Sequence, residues 1–170
     1  MCYCLWLGSG ICPPRTIPLG PIFLFTLRKV QNEEGLICKF WFIIFRLLLD
    51  YRLLEISPNT KIGGGLYLGH CQSITINPNA IIGKNCNIHK GVTIGQENRG
   101  KRKGAPIIGD KVWIGVNSTI VGNIKIGDDV LIAPNSYINC DVPSHSVVFG
   151  NPCIIKHRDN ATEGYINNIV

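Results

Sequence analysis

The chain has 170 residues, 17 Lys and Arg against 11 Asp and Glu, a formal net charge of +6, and 45% apolar residues. That length suits one domain with at most a small appendage, and that apolar content excludes a disordered chain. The one dense basic run, Arg99 to Lys103, has no aromatic residue interleaved, and without a basic stripe the composition speaks against nucleic-acid binding.

Residues 1–27 read as an extension with no assigned element, disorder included. The stretch 16–27 (TIPLGPIFLFTL) is apolar but short, and Pro18, Gly20 and Pro21 break it. It cannot span a bilayer, and no basic region precedes it as in a signal peptide. The expected compartment is the cytoplasm. Residues 28–54 read as a helical segment interrupted near Gly35, with Lys39, Arg46 and Arg52 as polar breaks in its apolar second part. It is expected to cap the region C-terminal to it or to pack in an oligomer; the alternative is a peripheral helix at the inner membrane face. The cysteines, Cys2, Cys4, Cys12, Cys38, Cys71, Cys86, Cys140 and Cys153, form no CxxC pair and have no zinc spacing. They read as free thiols of a reducing compartment, with Cys86 a small apolar filler.

From residue 55 onward isoleucine recurs every six positions. One series is Ile56, Ile62, Leu68, Ile74; a second is Ile76, Ile82, Ile88, Ile94; a third runs from Ile108 through Ile114, Ile120, Ile126 and Ile132 to Ile138. Small or apolar residues such as Thr60, Ala80, Cys86, Val92 and Val112 follow four positions later. A period of six is neither helical nor a plain alternating strand. It fits a short strand and a sharp turn, three of which close a triangular coil. Stacked coils place like residues about 4.8 Å apart, so the isoleucines form a continuous core. Asn59, Asn79, Asn85, Asn117 and Asn135 suit the corners, where left-handed backbone is needed. The fold expected is mainly β, a parallel β-helix of hexapeptide repeats with an N-terminal α-helical segment. Two irregularities stand out: a two-residue slip between Ile74 and Ile76 after Gly69-His70-Cys71-Gln72-Ser73, and a gap from Ile94 to Ile108 read as two hexads plus two. The gap holds the polar, basic stretch Gln96–Pro106, an extruded loop that suits either solvent or an anionic ligand. Val142 to Pro152 closes the solenoid, and the polar tail from Lys156 is expected to fray.

The stretches EISPNTKIGGGLYLGHCQSITI (55–76), GVTIG (91–95), IIGDKVWIGVNSTIVGNIKIGDDVLIAPNS (107–136) and VPSHSVVFGNPC (142–153) resemble the hexapeptide-repeat acetyltransferases, specifically the serine acetyltransferase branch. The resemblance covers residues 55–156. It implies a left-handed coil, a homotrimer with sites between subunits, and acetyl-CoA as co-substrate, with no metal. His70 falls on the general base and Glu55 on its carboxylate partner, where the family has Asp. A hydroxyl is a poor nucleophile at neutral pH and needs such a base. Gly95, Val116 and Pro134 fall on positions that contact the pantetheine arm. Lys101, Arg102 and Lys103 would reach the CoA phosphates or an acidic glycan. His89 is the rival base or a substrate-binding residue. His145 reads as structural and His157 as inert.

Departures from the branch concern the acceptor. Gly69 stands where the branch has Asp, and Gly104 and Ala105 stand where it has an Arg-His pair. Ile154 replaces a closing Lys or Arg, leaving Lys156 as the substitute, and the long N-terminal helical domain is missing. These favour O-acetyl transfer to a saccharide, with serine the alternative acceptor and a non-catalytic scaffold less favoured. A metal enzyme of the carbonic-anhydrase type needs three interfacial histidines, and only His70 and His89 sit suitably.

Overall fold

The computed structural model describes residues 19–170; residues 1–18, with Cys2, Cys4 and Cys12, lie outside the described residues. Residues 19–27, expected to have no element, are instead helical: α1 is Leu19–Asn32 and α2 is Gly35–Arg52. Gly20 and Pro21 do not break α1 because they lie in its first turn, where a missing N–H leaves no bond unmade. Gly35, at φ +66°, makes the break between the helices. Phe23 stacks on Phe45 with ring centroids 5.2 Å apart, and Phe23, Leu27, Phe45 and Leu49 are buried. Arg28 donates through Nη2 to the carbonyls of Ile62 (2.9 Å) and Gly63 (2.7 Å), and Gln31 donates to that of Pro58 (2.8 Å). The helix pair therefore caps the first coil. The other side of α2 is apolar and open: Leu36 is 81% and Leu47 65% exposed. No described helix is long and apolar enough to cross a membrane.

The hexads form three flat faces of a left-handed parallel β-helix. Face A stacks β1 (Glu55–Ile56), β4 (Thr75–Ile76), β7 (Thr93–Gly95), β10 (Thr119–Val121) and β13 (Tyr137–Ile138). Face B stacks β2 (Lys61–Ile62), β5 (Ile81–Ile82), β8 (Ile107–Ile108) and β11 (Lys125–Ile126). Face C stacks β3 (Tyr67–Gly69), β6 (Asn87–His89), β9 (Trp113–Ile114), β12 (Val130–Ile132) and β14 (Ser146–Phe149), with β15 (Ile154–His157) added antiparallel. Like stacks on like: Ile76, Ile94, Ile120 and Ile138 pair in one column, and Ile88, Ile114 and Ile132 in another. Every series residue from Ile56 to Ile138 is buried, at 8% exposure or less. Of the corner asparagines, Asn85, Asn117 and Asn135 adopt positive φ. Asn79 instead donates its N–H to Asn77 Oδ1 (2.9 Å), and Asn59 to Ser57 Oγ (3.2 Å), turns that need no left-handed residue.

The register corrects the reading of the long gap. Thr75 pairs with Thr93, 18 residues on, but Thr93 pairs with Thr119, 26 on. Ile94 lies on face A and Ile108 on the next face, so the gap is one hexad plus eight inserted residues, not two hexads plus two. The loop closes on itself through Glu97 and Gly104, whose backbone groups exchange bonds of 3.0 and 2.9 Å.

The tail does not fray. Residues 158–170 run back across face C, from the last coils toward the first. Asp129 holds the start: its carboxylate accepts from the N–H groups of Ala161 and Thr162 (both 3.0 Å), from Thr162 Oγ (2.7 Å) and from His145 Nδ1 (2.9 Å). Asn87, wholly buried, donates to the Tyr165 carbonyl (2.7 Å), and Asn85 Oδ1 accepts from the Val170 N–H (2.9 Å). The polar composition of the tail points the wrong way because face C offers buried amide and carboxylate partners to a polar backbone. Burial alone would raise the Asp129 carboxyl, but the bonds from Thr162, His145 and Ala161 outweigh it and hold it at about 2, against an ordinary 3.8. A depressed carboxyl stabilises the fold above its unfolded value and loses that effect as pH falls through its folded value. Tail docking should thus weaken between about pH 4 and 2, by on the order of 2 kcal/mol. Asp129→Asn should abolish that step, read as tail proteolysis and Trp113 fluorescence against pH.

Candidate active site

The sequence turns from face C to face A at His70. Its φ of 54° and that of Ser73, 53°, show why the slip is there: four residues make the corner that two make in later coils. The same corner recurs above. The Gly91 N–H donates to the Gln72 carbonyl (3.2 Å), that of Asn117 to Lys90 (3.1 Å), and that of Asn135 to Val116 (2.9 Å). His70, Lys90, Val116 and Pro134 therefore follow one edge of the solenoid. Both corner positions assigned to a pantetheine arm share the edge of the assigned base. His70 and Pro134 are exposed, and Val116 is partly so.

Glu55 takes a different place. It starts β1, pairs with Thr75, and donates its N–H to the Ile74 carbonyl (2.9 Å). Its carboxylate lines a cavity of about 570 Å³ between α2 and face A, with Arg46, Asp50, Thr75, Asn77 and Gly95 among the walls. Neither hydrogen bond nor ion pair joins Glu55 to His70 among the described residues. The structure thus brings Glu55 and Gly95 onto one cavity, and His70, Val116 and Pro134 onto the adjoining edge. The basic loop leaves from the opposite edge of face A. Arg102 is engaged by Glu97, Nε to Oε1 at 3.0 Å, and Arg99, Lys101 and Lys103 are exposed beside it.

His89 explains Gly69. The two are register partners on neighbouring coils, and a Cβ at residue 69 would collide with the His89 ring at Nδ1 and Cε1. The imidazole fills the space where a side chain at 69 would stand. It lies 4.7 Å from the Trp113 ring and 6.4 Å from Tyr67, and Trp113 meets Tyr165 of the tail at 5.2 Å. Burial, then the neighbouring His70, lowers its pKa, so it stays neutral where a free imidazole takes a proton. Its Nε2 is buried without a partner in the described chain. Sequence reasoning missed Trp113, Tyr165 and Asn87. The signal was present in the alternation, since Trp113 and Asn87 fall on outward positions that a bare face would leave wet.

Among the described residues no three His, Cys, Asp or Glu side chains converge as a metal site would require. None of Cys38, Cys71, Cys86, Cys140 and Cys153 is in a disulfide, and burial pushes the Cys86 thiol up to about 12, which suits a filler.

Comparisons with known proteins agree with this architecture. Residues 105–140 match the bacterial transferase hexapeptide (six repeats) family. A serine acetyltransferase of Staphylococcus aureus is 39% identical over 111 residues, covering 65% of this chain and 52% of that protein. The structure of a Neisseria gonorrhoeae serine acetyltransferase in complex with serine superposes with a TM-score of 0.60 at 33% identity, over 68% of this chain and 47% of that one. A serine acetyltransferase in complex with cysteine gives a TM-score of 0.69 at 25% identity, over 81% of this chain and 57% of that one. The chain spans about half the length of the curated relatives it matches. By repeat and fold it is a hexapeptide-repeat left-handed β-helix. Within that class it is similar, over about two thirds of its length, to the serine acetyltransferases named above.

The Gly69–His89 contact makes a sharp prediction. Gly69→Asp should destabilise by about 1–3 kcal/mol, as overpacking does. His89→Ala should relieve it, so the double variant should unfold well above the temperature additivity gives. Thermal unfolding of the four proteins in the cycle reads this directly.

Proposed function

We propose that the protein moves an acetyl group from acetyl-CoA to the hydroxyl of a small acceptor. The observation that carries this is the single edge shared by His70, Val116 and Pro134. A base at one end of the pantetheine track stands where the thioester would be presented. His70 takes the proton of the acceptor hydroxyl as its oxygen attacks the thioester carbonyl, and CoA leaves as the thiol. Gly95, Val116 and Pro134 hold the arm, and Lys101 and Lys103 meet its phosphates. Glu55 lines the acceptor side of the same face, and its part is to orient the acceptor or, once a neighbouring subunit closes the groove, His70. The assembly proposed is a homotrimer in the cytoplasm. The exposed isoleucines of face B, Ile81 at 38% and Ile107 at 41%, support it.

The acceptor we favour is serine. Its support is the name borne by the matched relatives, and the serine in the gonococcal structure. This reverses the expectation of a saccharide. One observation still favours the saccharide as a second reading: the position of the branch's Asp is filled by His89, and Gly104 and Ala105 bring no charge. His89, neutral and standing where the branch has its Asp, is the acceptor-binding group we favour in either case. Thiol release from acetyl-CoA should be seen with L-serine, and His70→Ala should lower it roughly 10²–10⁴-fold. Release with sugars and none with serine would return the assignment to a saccharide. Release that survives His70→Ala would remove the base.

A further inference from the structure

The sequence leaves Cys140 and Cys153 without a role, and the fold places them together. Their Sγ atoms are 3.7 Å apart, with Cys140 exposed and Cys153 partly so. Thirteen residues separate them in the chain, and two different ladders fix their backbones. Cys140 lies between β13 and Val142, whose N–H donates to the Lys125 carbonyl (2.9 Å) and whose carbonyl accepts from the Gly127 N–H (2.9 Å). Cys153 sits in the turn after β14, where Gly150 donates to Ser136 Oγ (3.2 Å) and accepts from the Tyr137 N–H (3.1 Å). The sulfurs, 3.7 Å apart, stand about 1.7 Å beyond bonding distance.

We propose that Cys140 and Cys153 are a dithiol that closes to a reversible disulfide when it meets a low-molecular-weight disulfide such as oxidised glutathione, stapling the last coil to the closing turn. The exchange balances in two steps. The Cys140 thiolate attacks one sulfur of the oxidant, forming a mixed disulfide and releasing one glutathione thiolate. The Cys153 thiolate attacks the Cys140 sulfur, closing the protein disulfide and releasing the second. Two protein thiols are oxidised, one small disulfide is reduced to two thiols, and the two protons go to water or to the departing thiolates. Cys140 is the accessible sulfur and so the entry point, and Cys153 is the resolving partner. Burial, then Cys153 itself and Asp141, raise the Cys140 thiol, while Arg102 of the extruded loop opposes this. Cys140 stacks in register above Gly122, at the corner from which the basic loop leaves, and Cys153 lies three residues beyond Gly150, so the staple ties the loop edge of face A to the closing turn.

The test uses the full chain, folded, with excess oxidised glutathione, followed by alkylation and peptide mass mapping. The expected result is a Cys140–Cys153 link with no glutathione on either residue, reversed by dithiothreitol. Cys140→Ser and Cys153→Ser should each instead keep one glutathione on the remaining thiol. The same treatment of urea-unfolded chain should lose the preference for this pair. Oxidation should also raise the thermal midpoint of the wild type and leave both variants unshifted. Glutathione retained at either site in the wild type, or both thiols still alkylated after treatment, would overturn the proposal. Because mapping does not depend on acetyl transfer, a failed activity assay and a failed staple remain distinct results.

Discussion

Each backbone amide in the solenoid looks for its carbonyl one coil away, and that single requirement organises the molecule. A coil of 18 residues returns the chain to the same point one strand spacing higher, so each side chain rests on its own equivalent. Isoleucine on isoleucine, from all three faces, then fills one continuous core. The requirement is also unforgiving: any residue beyond the 18 must leave the stack at a corner. Both insertions in this chain do so, and both lie beside face A. The two-residue excess makes the His70 corner; the eight-residue excess makes the basic loop. The candidate base and the basic loop thus stand where the repeat is broken.

Much of the fold is legible in the sequence because the period leaves so few solutions. Ile114 or Val130 can be assigned to the core from position alone. The edge carrying His70, Val116 and Pro134 is foreseeable only in part, from the one-coil spacing of Val116 and Pro134. The insertion is not, because counting residues cannot say which face Ile108 joins; the register with Ile82 and Ile126 does. The helix at residues 19–27 escapes a sequence reading because Gly20 and Pro21 signal breaks in a helix interior and are harmless in its first turn. The Glu55–His70 pair rests on analogy with a motif, and a single chain does not bring the two into contact.

The site carries a substitution that reads as loss in sequence and as exchange in space. Gly69 discards a charged group, yet the room is taken by His89 from the coil above. Where the resembled branch carries an acidic side chain, this chain presents a neutral imidazole from a different strand. Such compensation is natural in a solenoid, since vertical neighbours are as close as sequence neighbours and two coils can exchange which one supplies the side chain.

The tail differs from everything else in how far its contacts reach. Solenoid bonds join residues one coil apart, whereas Val170 meets Asn85 across 85 positions and Asn168 meets Leu66 across 102. Local stacking can begin while the rest of the chain is still being made, coil upon coil. The tail has nothing to dock on until faces carrying Asp129, Asn87 and Asn85 all stand in register. Its arrival is therefore a late event in the chain's own history, and a solenoid with a mis-stacked coil would be left with face C bare and Trp113 in water.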